Sequence, residues 1–133
     1  MPGVNVELLH QAIDTFNRRD LGAFLALMDP GVEFAPYERA LEGLGPYRGH
    51  DGVRTWWEES FAALPDLRAE LYEVRELGDV TLARGRLRGT GAGSGAFFER
   101  TLWHVVEWRD GKQVWWSAFD SEAEALEAAG QRE

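Results

Sequence analysis

The chain has three histidines and no cysteine, so acid–base, nucleophilic or metal chemistry has few places to reside. His104 is the one histidine inside a strand-like run of apolar neighbours, Leu102-Trp103-His104-Val105-Val106. An imidazole held there can give or take a proton near neutral pH; the alternative is a core histidine hydrogen-bonded to backbone or to another side chain. His10 and His50 stand alone, with no His-x-His or His-Glu-x-x-His spacing, so no metal site is expected. The lack of cysteine excludes thiol nucleophiles, thiolate-held metals and disulfides, and no Gly-x-Ser-x-Gly turn presents a serine. The run Gly89-Thr90-Gly91-Ala92-Gly93-Ser94-Gly95 has no Gly-Lys-Ser/Thr and no helix after it, so it reads as a flexible strand connection and not as a phosphate cradle. No cofactor is implied.

The neighbours of His104 follow from the last hairpin. If Trp108 pairs with Lys112 across a three-residue Arg109-Asp110-Gly111 loop, His104 lies opposite Trp116, Leu102 opposite Ala118 and Arg100 opposite Asp120. One face then carries Phe98, Arg100, Leu102, His104, Val106, Trp116, Ala118 and Asp120, and the other Phe97, Glu99, Thr101, Trp103, Val105, Glu107, Trp115, Ser117 and Phe119. Arg100 with Asp120 reads as a cross-strand ion pair that could also hold the polar end of a ligand. Trp57 and Trp116 can pack or stack, and Tyr37 can donate its hydroxyl. Arg84, Arg86 and Arg88 share one face of their strand, and in a chain this acidic they read as a solvent or interface face paired with Glu and Asp.

The elements that must position these groups come from periodicity. Val6, Leu9, Ile13 and Phe16 give an amphipathic helix over residues 5–18, with Asn5 as a possible N-cap. Asp20 caps a second helix carrying Leu21, Phe24, Leu27 and Met28 that Pro30 stops. Residues 32–37 read as a strand and 38–49 as a long loop. A third helix runs from an Asp51 cap to Pro65, with Val53, Trp56, Trp57, Ser60, Phe61 and Leu64 on one face. Beyond Pro65 the period changes to two: strands over 67–77 and 80–88 joined at Gly78-Asp79 as a type II′ turn, then 97–108 and 112–119. Ser121 and Glu124 form a capping box for a helix through Ala129, with Gly130 at C′. The order predicts a single α+β domain over 1–133, a curved sheet covered by helices with a cavity between the layers.

The formal charge is −9, which disfavours nucleic acid and anionic membranes as partners. The first residues have neither a basic nor an apolar stretch, and no apolar run reaches membrane-spanning length, so a cytoplasmic protein is expected. Both hairpin faces hold large aromatics while helices can cover only one. The face with Trp103, Val105, Trp115 and Phe119 is therefore expected to pack against a second copy as a homodimer.

The runs Phe16-Asn17-Arg18-Arg19-Asp20, Asp29-Pro30-Gly31-Val32-Glu33-Phe34, Tyr47-Arg48-Gly49-His50-Asp51-Gly52-Val53, Arg109-Asp110-Gly111-Lys112 and Glu124-Ala125-Leu126-Glu127-Ala128-Ala129-Gly130, in that order, make the chain resemble a SnoaL-like protein of the nuclear transport factor 2-like superfamily. The resemblance implies a cone-shaped half-barrel, a mostly antiparallel sheet on three N-terminal helices with a short C-terminal helix, dimerised through the sheet, with a pocket for a small, largely apolar molecule. It implies isomerase, cyclase or hydratase/hydrolase chemistry, or binding without catalysis. By the same resemblance, the base carboxylate of the isomerases falls on Ala35 and the essential aspartate of the cyclases and epoxide hydrolases near Ala118, so both are missing. The isomerase acid on the penultimate strand corresponds to His104, and the pocket aromatic of the third helix to Trp57. His104 is thus the expected acid or base, with Tyr37, Trp57, Arg100, Leu102, Trp116, Ala118 and Asp120 around the ligand.

Overall fold

The computed structural model describes residues 3–133. In chain order the elements are α1 (Val4–Asn17), α2 (Leu21–Ala26), β1 (Met28–Ala35), α3 (Tyr37–Leu41), β2 (Tyr47–Arg48), α4 (Gly49–Ala63), β3 (Arg68–Leu77), β4 (Val80–Thr90), β5 (Phe97–Arg109), β6 (Lys112–Phe119) and α5 (Glu122–Arg132). The six strands form one curved, unclosed sheet in the order β2-β1-β6-β5-β4-β3. β1 and β6 run parallel and every other pairing is antiparallel, so the expected α+β fold is present with a mixed sheet.

Helix α1 buries Leu9, Ala12 and Phe16 as its period requires, but Asn5 does not cap it. The carboxylate of Glu76 on β3 does so across the fold, accepting from the Asn5 and Val6 amides at 3.1 and 3.2 Å. Asp20 caps α2 as expected, accepting from the Ala23 amide at 3.1 Å. Met28 belongs to β1 and not to that helix. Pro30 lies within the strand, where the ladder to β6 is interrupted between Met28 and Glu33, so its missing N–H costs the sheet nothing. The expected long loop over 38–49 instead contains α3 and the short strand β2. α4 starts at Gly49, ahead of Asp51, which sits in its first turn.

The sheet strands stand close to expectation, and Gly78 has the positive φ of 66° that a leading glycine supplies in the β3–β4 turn. Curvature enters at Gly85, beside an irregularity in β3 between Leu71 and Glu73. A Cβ on Gly85 would stand 2.6 Å from the Glu70 carbonyl oxygen, so the two strands approach as only glycine allows.

The last hairpin differs from the expected register. Arg109 pairs with Lys112, leaving a two-residue loop, Asp110-Gly111, with φ of 53° and 74°, the type I′ geometry. Val114 is then an extra residue between the Trp108–Gln113 and Glu107–Trp115 pairs. Beyond this bulge His104 pairs with Ala118 and Val106 with Trp116. The expected pairs were displaced by two residues, an even step, so every side chain beyond the bulge stays on its expected face.

The concave face carries α1, α2 and α4 over a core of Phe16, Phe24, Leu25, Val32, Phe34, Val53 and Trp57. Helix α5 lies on the opposite face, where Ala125 and Ala129 pack with Val80, Leu82 and Val105, and Trp103, Trp115 and Phe119 border that contact. This corrects the expectation that helices cover one face only. The Ser121 hydroxyl accepts from the Glu124 amide at 3.1 Å to start α5, which continues through Gly130 instead of ending there. The Arg84, Arg86 and Arg88 row is paired with Glu73, Glu70 and Glu99, as the acidic composition suggested.

Candidate functional site

Between the sheet and helices α3 and α4 lies a cavity of about 470 Å³. Leu87 of β4, Phe98 and Leu102 of β5 and Trp116 and Ala118 of β6 form its sheet wall, and Trp56, Leu64 and Leu67 close it from the other side. Its rim is polar, with Tyr37, Glu38, Arg39, Glu42, Tyr47 and Glu59. The Tyr47 hydroxyl donates to Glu59 at 2.9 Å, and burial together with this carboxylate pushes the phenol above its ordinary pKa. Arg39 is held over the Tyr47 ring at 4.1 Å and donates to the Gly45 carbonyl at 2.9 Å, which ties α3 to the segment leading into β2.

Four of the expected ligand contacts, Tyr37, Leu102, Trp116 and Ala118, line this cavity. Arg100 and Asp120 do not form an ion pair. Arg100 sits opposite Leu87 on β4, and the β5–β6 ladder has already ended at Trp103–Phe119. Instead Tyr37 joins them: its hydroxyl donates to Asp120 at 2.7 Å, and the Arg100 guanidinium stands 5.0 Å from its ring centroid. That hydrogen bond raises the Tyr37 pKa, so the phenol is a fixed donor. Trp57 is not in the cavity; it is buried among Phe16, Phe24 and Phe61 at 5.0–5.5 Å between ring centroids. Its neighbour Trp56 takes that place. Both lie on the apolar side of one helix, and sequence spacing alone cannot say which of two adjacent indoles faces the opening.

His104 is 6% exposed and does not line the large cavity. It lines a smaller one of about 50 Å³, with Gln113 and the apolar side chains of α1, β1 and α2. Trp56, Leu87 and Trp116 face both cavities and separate them. The His104 ring meets Trp116 edge-on at 5.2 Å, and Trp116 in turn stacks on Phe34 at 4.2 Å. Among the described residues, His104 Nε2 and Arg86 Nε are the buried side-chain nitrogens without a hydrogen-bond partner. Burial pushes the His104 pKa down to about 4, so the ring is neutral at physiological pH, with one N–H and one lone pair. Neither reading of His104 foresaw this state, buried yet unbonded.

Gln113 is the polar residue that sequence reasoning missed. Simple alternation assigns an odd-numbered residue of this strand to the other face, and the Val114 bulge turns Gln113 to the same side as Trp116. Phe98 was within reach of the face assignment, since it shares the expected inward row. Among the described residues no three His, Asp or Glu side chains come together to hold a metal ion, and no helix is long and apolar enough to cross a membrane.

A curved mixed sheet with three helices on its concave face and a lined cavity between them defines a nuclear transport factor 2-like α+β protein. Solved structures share it over nearly their whole length. An NTF2-like protein of unknown function from Burkholderia pseudomallei K96243 is 25% identical, with 93% of this chain and 95% of that chain covered and a TM-score of 0.77. A protein from Jannaschia sp. CCS1, assigned as a SnoaL-like polyketide cyclase, is 19% identical (97% and 94% covered, TM-score 0.78). IdmH from Streptomyces antibioticus, assigned as a polyketide cyclase, is 23% identical (96% and 98% covered, TM-score 0.74). Within this class the chain belongs to the SnoaL-like domain family, whose model matches residues 9–116. No match was found among curated proteins.

Proposed function

We propose that this protein binds one small, largely apolar molecule in the 470 Å³ cavity and acts on it by proton transfer at His104, as an isomerase, cyclase or hydratase/hydrolase. The observation that carries the reading is the cavity itself: its size suits a molecule of a few fused rings, and its inner wall is made of flat or aliphatic side chains with a polar rim. The neutral ring of His104, edge-on to Trp116 of that wall, carries a lone pair that can accept a proton at physiological pH. Two structural relatives are assigned as polyketide cyclases, which agrees with a small-molecule substrate. We further propose that the protein works as a cytoplasmic homodimer.

A second reading is binding without catalysis, favoured by one observation. Trp116 stands between the large cavity and His104, while Ala35 and Ala118 offer no carboxylate. The two readings separate in one experiment. A panel of polycyclic phenols and quinones is screened by thermal shift, where a true ligand raises the melting temperature in step with RT ln(1 + [L]/Kd). Hits are then incubated with the wild-type protein and with His104→Gln. Conversion by the wild type that falls by about 10²–10⁴ in the variant, with affinity retained, supports catalysis. Hits that bind and remain unchanged support the binding module, and absence of any hit argues against both.

A further inference from the structure

We propose that residues 37–46 form a lid on the large cavity, held at one end by Tyr37 on Asp120 and at the other by Arg39 on Tyr47, and that release of these holds admits the ligand. The lid rests on the large cavity being the ligand site. Tyr37, Glu38, Arg39, Glu42 and Leu44 line that cavity from one side, between the end of β1 and the start of β2. Lifting them away would open the wall of Phe98, Leu102 and Trp116 to water.

The segment is built as one piece. The Arg39 amide donates to the Pro36 carbonyl at 3.1 Å, the Glu42 amide to Glu38 at 3.1 Å and the Leu44 amide to Arg39 at 3.0 Å. The Arg39 guanidinium donates to the Gly45 carbonyl at 2.9 Å, and Gly43, at a φ of 70°, makes the return that lets these bonds close. Among the described residues, the hydrogen bonds of residues 38–45 all stay within 36–46, so they fix the shape of the segment and not its place. Burial fixes it little: Glu38, Leu41, Glu42, Gly43, Leu44 and Gly45 are exposed, and α3, at five residues, has no stability of its own.

Its place is set by side chains at the two ends. The Tyr37 hydroxyl donates to Asp120, just past β6, at 2.7 Å, with the Arg100 guanidinium 5.0 Å from its ring centroid. At the other end the Arg39 guanidinium lies on the Tyr47 ring at 4.1 Å. Tyr47 is a fixed post, paired with Phe34 in the sheet and hydrogen-bonded to Glu59 of α4. Asp120 is exposed, so water competes for the Tyr37 hydroxyl. One hydrogen bond and a few cation–π contacts at the surface are weak enough to break on the microsecond-to-millisecond scale of lid motion.

The test uses N-phenyl-1-naphthylamine, an uncharged probe that fluoresces in apolar surroundings, with the intact protein and its Asp120→Ala variant. Asp120 lies outside the cavity lining, so the substitution frees the lid without altering the wall. A gate passes the probe in both directions, so freeing it speeds entry and exit alike. The expected result, by stopped flow, is association and dissociation rates both about tenfold higher in the variant, with Kd changed by less than about twofold. Arg39→Gln, which releases the other end, should raise both rates in the same way. ¹⁵N relaxation dispersion should report one common exchange process over residues 38–45, its minor state more populated in both variants. Unchanged rates in both variants, or a changed Kd at an unchanged association rate, overturn the lid and leave the large cavity standing. If the probe does not bind, or binds without moving the indole N–H resonances of Trp56 and Trp116, the large-cavity reading falls, and the lid with it.

Discussion

An imidazole at 6% exposure with an unpaired Nε2 makes this fold pay a pH-dependent penalty at His104. Its pKa lies near 4 in the folded chain against an ordinary 6.5. The unfolded chain therefore takes up the proton first as the pH falls. Stability from this residue is complete above pH 6.5, declines between 6.5 and about 4, and then levels, a loss on the order of 3 kcal/mol. Urea midpoints measured between pH 8 and 4 should follow that slope, and His104→Leu should flatten it. Because no hydrogen bond is lost, the variant should be at least as stable as the wild type at pH 5, and a large loss there would show a partner for the ring. The identity of His104 was legible as an apolar-flanked histidine in a strand; its isolation was not, since it depends on what α1, α2 and β1 set around it. Trp57 exchanged with Trp56 is the same limitation one helix away.

Elements were legible where chemistry is local. The Ser121 cap, the Asp20 cap and the Gly78 turn rest on residues within four positions of what they satisfy. The miss at α1 is of the opposite kind: its amides are met by Glu76, about seventy residues on, and no local pattern announces that. Glu76→Ala should cost about 1 kcal/mol and speed hydrogen exchange of the Asn5 and Val6 amides, with exchange at α5 unchanged. Ser121→Ala should likewise cost about 1 kcal/mol, read as a lower urea midpoint at constant m, because α5 covers Val80, Leu82 and Val105. In the last hairpin the loop type was misread by one residue and the bulge was not foreseen. The two offsets combine into an even step, so the inward row survived and only Gln113, ahead of the bulge, was lost. Turn residues disclose a loop's chemistry more readily than its length, and a bulge leaves no composition behind.

Across the whole molecule, α5 changes the case for self-association. Within one copy it brings Arg132 over the Trp115 ring at 4.1 Å, and Arg75 stands 5.7 Å from Trp103, so the aromatics expected to meet a partner have cationic cover within the chain. Trp103, Trp115 and Phe119 nevertheless remain only half-buried, which supports the homodimer we propose. Light scattering at micromolar concentration should give twice the 15.0 kDa chain mass, and Trp103→Glu should return the single mass; a monomeric wild type would end the idea. Fold class was readable because helix and strand periods alternate in a fixed order, whereas the second covered face needed the path of the chain after Phe119. The ring contacts around the cavity carry one more consequence. Trp116, Phe34, Trp56, Phe16 and Trp57 follow one another at centroid spacings of 4.2, 4.7, 5.7 and 5.5 Å, so the two indoles of the cavity wall and the core rings behind them are fixed in one asymmetric array. Such an array gives a near-ultraviolet circular dichroism signal that fades when packing loosens while helices persist. The wall is thus its own optical gauge, and on acidification its bands should collapse before the far-ultraviolet signal does.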